Sequence, residues 1–317
     1  MKKHNKSLLL AMAGMGISIP AFASQTIVTQ GIYDKTPSLI AFENATIYTE
    51  PGKKITGATL VINKGKVVSV GKSPAPKGAR VIDAQGHTIY PGFIDPYSAY
   101  GVPAEKSKSA SRRDAPQYTN KSKGGNAGND AVKPQIDWVN HFKIDEKSAK
   151  PYLKNGFTSV QTAKQDGIFR GTSFVASLGS GRTNDLVYQS NGLQFLSFDK
   201  GSSKQAYPSS LMGSIALIRQ TLSDANWYQQ AAGKNDTRYF DGKIEFNAAL
   251  ESLANVEKQG VLFDAGDQQS LFRADKLMAD FSVPVVHLGS GKEYARIDQI
   301  KSTKDRIILP VNFPKAP

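Results

Sequence analysis

VLFDAGDQQSLFRADKLMADFSVPVVHLGSGKEYARIDQIKSTKDRIILPV, residues 261–311, carries the architecture of this chain. It reads as a strand over 261–266, a helix over 270–281, a strand over 283–289, a helix over 292–302 and a strand over 306–311. Strands and helices alternating through short connections form right-handed βαβ units, whose strands lie side by side in a parallel sheet.

Upstream, the alternation continues less regularly. Pro208-Ser209-Ser210 begins a helix expected to run to about Ala232, with Leu211, Ile215, Ile218 and Leu222 at helical spacing and the serines placed to cap its start. A second helix is expected over about Ile244 to Lys258. GIFRGTSFVASLG (167–179) and LVYQSNGLQFLSF (186–198) read as β segments, and FTSVQT (157–162) as a strand after Asn155-Gly156 stops a short helix. From Val102 to Pro134 periodicity vanishes and Lys, Ser, Gly, Asn and Pro dominate, which predicts a long, partly mobile loop. Its basic residues, Arg112 and Arg113 among them, are candidates for contact with an anionic substrate.

Residues 40–90 read differently, as short strands broken by Gly and Pro turns. In LVINKGKVVSVG (60–71) two β-branched runs flank Asn63-Lys64-Gly65-Lys66, a hairpin signal, so a small antiparallel sheet is expected. The apolar run Ile89 to Ile94 contains Pro-Gly and ends at Asp95, as a strand does on entering a buried parallel sheet.

The amino terminus is an address. Lys2, Lys3 and Lys6 precede an apolar run from Leu8 to Ile19, and Ala21-Phe22-Ala23 is a small-x-small cleavage site, so residues 1–23 are expected to be a secretory signal peptide. About 12 apolar residues fall short of the roughly 20 that span a bilayer, and no membrane span is expected in the mature chain. With no Cys to carry a lipid, the product is expected to be periplasmic or secreted after cleavage at Ala23.

The 317 residues include 40 Lys and Arg against 27 Asp and Glu, a net charge of +13. That excess is scattered and three of the lysines leave with the signal, so a nucleic-acid partner is not expected. The absence of Cys excludes disulfides, thiolate metal sites and thiol catalysis. Any metal would depend on carboxylates and four His.

Three phrases together resemble the amidohydrolase superfamily, and within it a secreted branch similar to imidazolonepropionase: ENATIYT (43–49), GATLVINKGKVVSVG (57–71) and VIDAQGHTIYPGFIDPYSAYG (81–101). The likeness resumes over 259–297, where the text is similar to late barrel strands of that family. The resemblance implies an α/β fold made of a small β-sandwich, residues 24–90, and a (β/α)8 TIM-type barrel over 91–317 that is incomplete at its C-terminus. It also implies hydrolysis of carbon–nitrogen bonds, in a small-molecule substrate, by water activated on zinc or a similar divalent cation.

Family members hold the cation with a His-x-His pair after the first barrel strand, His residues on later strands and a late Asp. Here the first position reads Pro96-Tyr97-Ser98 and the VLFDAGD strand has no His, although Asp264 and Asp267 could donate oxygen or act as helix caps. His287, on VVHLG, falls near a later-strand ligand and is the candidate metal residue, with a hydrogen-bonded strand histidine as the alternative. His87 reads as a turn residue and His141 as a helix-face residue. No catalytic residue is assignable from the sequence. No cofactor is therefore expected for this chain itself, and a downstream segment or second barrel is expected to complete it.

Other chemistries lack their signatures. Gly289-Ser290-Gly291-Lys292-Glu293 has neither the spacing nor the Ser or Thr of a phosphate loop, and no Gly-x-Ser-x-Gly elbow occurs. Two functions remain: a hydrolase in the full-length protein, or a non-catalytic barrel that binds a ligand or scaffolds a catalytic neighbour.

Overall fold

Strands β1 (Leu39–Glu50), β2 (Lys53–Asn63) and β3 (Lys66–Gly71) build the first sheet. They belong to a computed structural model that describes residues 38–104, 115–120, 124–232 and 244–310. The stretch expected to be a signal peptide, and Arg112 and Arg113, lie outside the described residues. Lys64 and Gly65 join β2 to β3 with φ of 47° and 75°, the paired positive values of a type I′ hairpin. β4 (Arg80–Asp83) and β5 (Thr88–Ile89) run parallel to β1, so the antiparallel sheet expected here is a mixed sheet of five strands. Buried Ala45, Ile47 and Ala58 form its small core, with Ile55, Leu60 and Val70 packed on them.

The chain divides into two compact units, one ending at Tyr90 and the other beginning at Pro91. The second opens with β6 (Phe93–Ser98), then α1 (Glu146–Lys154) and β7 (Phe157–Thr162), and β6 and β7 are parallel. Asp145 caps α1 by accepting from the amides of Lys147 and Ser148, and Gly156 at φ 85° ends it. Next come β8 (Phe169–Thr172), β9 (Phe174–Ser177), α2 (Thr183–Leu186), β10 (Val187–Gln189) and β11 (Gln194–Ser197). β9 pairs antiparallel with β7 and β10, giving a four-stranded sheet ordered β10-β9-β7-β6.

Helices α3 (Leu211–Ala232), α4 (Ala248–Ser252) and α5 (Val256–Gln259) lead to β12 (Val261–Asp264). Then α6 (Gln268–Ala279), β13 (Val285–Leu288), α7 (Ile297–Thr303) and β14 (Arg306–Ile308) follow in the alternation predicted from sequence. β11 to β14 are all parallel, with β8 antiparallel on the outer side of β11. With the mixed sheet before it, this unit is a partial TIM-type barrel.

Three expectations need correction. The single helix expected over 244–258 is two short helices, because Asn247 caps α4 and the chain turns at Leu253–Asn255 to bury Leu253 and Val256. β6 is parallel as expected but buried only toward its end: it is an edge strand, Phe93 and Ile94 are more than half exposed, and Ser98 is buried. The loop ending at Pro134 is anchored over its last part. Ala131 accepts from the amides of Ile168 and Phe169, Lys133 donates to Phe169, and Ala131 and Val132 are buried.

Two apolar layers flank the β11–β14 sheet. On one face Leu196, Phe263 and Val285 meet Ile218 and Leu222 of α3 and Leu271, Leu277 and Met278 of α6. On the other, Phe195 and Leu262 meet Val160 of β7 and Phe174 of β9, so the two sheets share one interior.

Candidate functional site

Ligands of parallel βα folds bind where the strands end at their carboxyl side. At that end of β12, Asp264 pairs in register with Ser197 of β11 and Leu288 of β13, and so faces the shared interior. There it meets two partners from distant segments. The Tyr97 hydroxyl of β6 donates to Asp264 Oδ2 at 3.0 Å. Arg170 of β8 donates through one nitrogen to the Tyr97 oxygen at 2.6 Å and to Asp264 Oδ2 at 3.2 Å, while its Nε donates to the Gly167 carbonyl at 3.0 Å. Arg170 is 5% exposed, and a guanidinium so buried must have such partners.

Local structure explains how the arginine reaches this position. Gly171 sits at φ 95°, and a Cβ there would run into the Ile136 carbonyl oxygen. The Arg170 carbonyl accepts from the indole of Trp138 at 2.5 Å. Tyr97 packs against Phe195, ring centroids 5.3 Å apart. Burial pushes the phenol well above its ordinary titration range, so Tyr97 stays protonated and keeps donating to the carboxylate.

A cleft of about 1210 Å³ opens over Arg170 and Asp264. Its polar lining includes Ser197, Lys200, Ser210, Ser214 and Ser270. Asp267 also lines it but is a helix cap: it accepts from the amides of Gln269 and Ser270, and the Ser270 hydroxyl foremost holds its pKa below the usual carboxylate range. The two aspartates of VLFDAGD are thus separated in role, one a cap and one in the buried ion pair. A smaller cavity of about 350 Å³ beside α3 includes one carboxylate, Asp224, which accepts from Gln220.

None of the histidines among the described residues lines that cleft. His87 bonds the Ala84 carbonyl in a turn, and His141 is exposed on a single 3₁₀ turn beside Trp138. His287 is fully buried, but it shares a register row with Phe263, which packs against the helices, so it faces the helix layer. Its Nε2 lies 3.2 Å from Asp305 Oδ2, and Asp275 of α6 completes a group of three whose ligand atoms lie within 4.8 Å of one another. The glycine-rich turn after β13 is closed to phosphate, because buried Glu293 turns inward and accepts from the Ser290 hydroxyl at 2.8 Å.

Burial pushes the His287 pKa down to about 4 against the pull of Asp275. Burial first, then the hydrogen bond and charge of Asp305, push Asp275 up to about 6. The unfolded Asp275 ionises near 3.8 while the folded one keeps its proton to about 6, so its contribution to stability falls as pH rises through that window and is constant above it. Asp275→Asn removes that loss. In the presence of chelator its stability relative to the unaltered chain should therefore climb between pH 4 and pH 6 and then level off. Urea denaturation of both proteins at unit pH steps measures this, and a flat difference would contradict it.

Sequence reasoning overlooked Arg170 as a site residue. The available signal was a charged side chain inside the apolar run Ile168-Phe169-Arg170-Gly171, where a buried charge implies a partner.

No protein-family model matches the chain. Over 62 residues it is 36% identical to the exoenzymes regulatory protein AepA of Pectobacterium carotovorum subsp. carotovorum, a match that spans 18% of this chain and 13% of that protein. Its structure superposes on an amidohydrolase from Thermotoga maritima MSB8 with a TM-score of 0.68, covering 86% of this chain and 70% of the other at 19% identity. A dihydropyrimidinase from Brevibacillus agri NCHU1002 covers 86% of this chain and 56% of its own, at 12% identity and a TM-score of 0.38, too loosely to bear on the site. The fold, a sheet domain followed by a partial TIM-type barrel, is the one this chain shares with the Thermotoga maritima amidohydrolase.

Proposed function

We propose that this chain is part of an exported amidohydrolase-type protein that hydrolyses carbon–nitrogen bonds in small molecules, and that its own strand ends bind a small polar ligand without a divalent cation. The observation that carries this reading is the position of Arg170. Metal-activated hydrolysis needs several imidazole or carboxylate donors converging on an open cation site. At this strand end the guanidinium of Arg170 holds one phenol and one carboxylate, while the cleft's other carboxylates, Asp199 and Asp267, accept from the Gly201 amide and from the first amides of α6. A cation seated on Asp264 would be repelled by that guanidinium, by about 4 kcal/mol per unit charge at 4 Å in an effective dielectric of 20. These residues do not fit the metal that the fold family implies.

The cleft suits a polar guest, since serine hydroxyls and Lys200 line much of its wall. In the whole protein, hydrolysis would then rely on residues other than Tyr97, Arg170 and Asp264, supplied by a downstream segment. Export through a cleaved signal at Ala23 belongs to the same proposal.

The test is an activity assay of the 317-residue chain on a panel of cyclic amides, with zinc, manganese or cobalt added and then removed by chelator. The expected result is no chelator-sensitive turnover, together with a thermal shift from at least one panel compound that Ser214→Phe, which would put a ring against the cleft wall, reduces. Chelator-sensitive hydrolysis that is lost in Asp264→Asn would overturn the proposal.

A further inference from the structure

A second constellation lies away from the strand ends, in the layer between β13 and the helices. Asp275 stands midway along α6, His287 is the third residue of β13, and Asp305 immediately precedes β14. One ligand atom from each lies within 4.8 Å of the other two. His287 is wholly buried; one ring nitrogen is 3.2 Å from Asp305, and its Nδ1 has no hydrogen-bond partner among the described residues. Neither carboxylate has a Lys or Arg within ion-pair distance among the described residues, where Asp305 pairs with His287 alone.

Two carboxylates and an imidazole this close, with no Lys or Arg beside them among the described residues, are held together by a shared proton or by a bound cation. One nitrogen and two oxygen donors suit zinc, whereas calcium and magnesium prefer oxygen alone. Tetrahedral ligands about 2.1 Å from zinc stand about 3.4 Å apart. The His287–Asp305 separation already matches, and Asp275 needs only a side-chain adjustment. The Asp305 side chain is 24% exposed, which leaves a route for the ion and a position for water.

We propose that Asp275, His287 and Asp305 form a zinc site that clips α6 and the lead-in to β14 onto β13. The site lies on the helix side of the sheet, apart from the strand-end cleft, and its role is to hold α6, β13 and the connection from α7 to β14 together. Bound metal adds native-state stability in proportion to the logarithm of its concentration over its dissociation constant.

The experiment titrates zinc into the untagged, chelator-treated 317-residue chain, followed by calorimetry and thermal denaturation. One equivalent should bind and raise the midpoint. Asp275→Asn and Asp305→Asn should each weaken binding at least tenfold, and exposed His141→Ala should leave it unchanged. X-ray absorption of the zinc-loaded chain should show one imidazole nitrogen with oxygen donors, a readout that does not depend on any variant folding. No binding, undiminished binding in both aspartate variants, loss of binding in His141→Ala, or a zinc spectrum without imidazole would each overturn the proposal.

Discussion

Arg170→Met should destabilise the chain by about 3–5 kcal/mol, the range for removing one partner of a buried ion pair. The loss arises in three places at once. The Asp264 carboxylate loses its counter-charge, the Tyr97 oxygen loses a donor at 2.6 Å, and the Gly167 carbonyl loses the Nε contact. Asp264 keeps 27% of its side-chain surface exposed, so water can partly rescue it, which places the expectation toward the lower end. Arg170→Lys should recover little, because an ammonium lacks the planar fork that serves Gly167 and the Tyr97–Asp264 pair together. Removing both charges in Arg170→Met with Asp264→Leu should recover much of the loss, since well-packed apolar replacements of buried pairs are often neutral. Urea denaturation of the two single variants and the double variant measures the coupling. A cost for Arg170→Met below about 1 kcal/mol, the level of an exposed pair, would mean that the ion pair is not formed.

Phe263→Ala should cost about 3–5 kcal/mol for a different reason. The ring is fully buried between the sheet and α3 and α6, with the Phe198 ring centroid 4.7 Å away. Its removal leaves a void lined by residues that β11 and α6 hold rigidly, so little collapse is possible. Phe263→Leu keeps most of the volume and should cost less than half as much. A shift in denaturation midpoint with unchanged slope would identify this as lost packing, and near-equal costs for the two variants would contradict a tightly filled layer.

These two predictions rest on features of unequal visibility in the sequence. The alternation over 261–311 identifies the parallel strands, because period and connection length are local properties, and Phe263 lies in an apolar run that could only be buried. The Lys64-Gly65 turn is equally local. The mixed character of the first sheet is not: β4 and β5 reach β1 across about 40 residues, and no short-range signal sets the direction of that pairing. The start of α4 depends on Asn247 acting as a cap, which its residue type allows but does not require, and Asn255 begins α5 without a side-chain bond, so nothing local marks the break between them.

The site shows the same division. That the strand ends lack a full histidine set is legible at Pro96-Tyr97-Ser98. What stands there instead is not, because Tyr97, Arg170 and Asp264 come from β6, β8 and β12 and are separated by 73 and 94 residues. The side on which His287 stands is likewise set by pairing and not by its own stretch of sequence. Its position along VVHLG suggested a strand-end ligand, but a strand turns successive side chains to opposite faces, and the register sends this one to the helices.

Crystallography of the 317-residue chain grown with zinc, with anomalous scattering recorded at the zinc edge, is the most direct test of the account. The prediction is that the Arg170 guanidinium remains between Tyr97 and Asp264 and that no anomalous peak lies within coordination distance of Asp264. A zinc ion bound by Asp264, with Arg170 displaced, would contradict it.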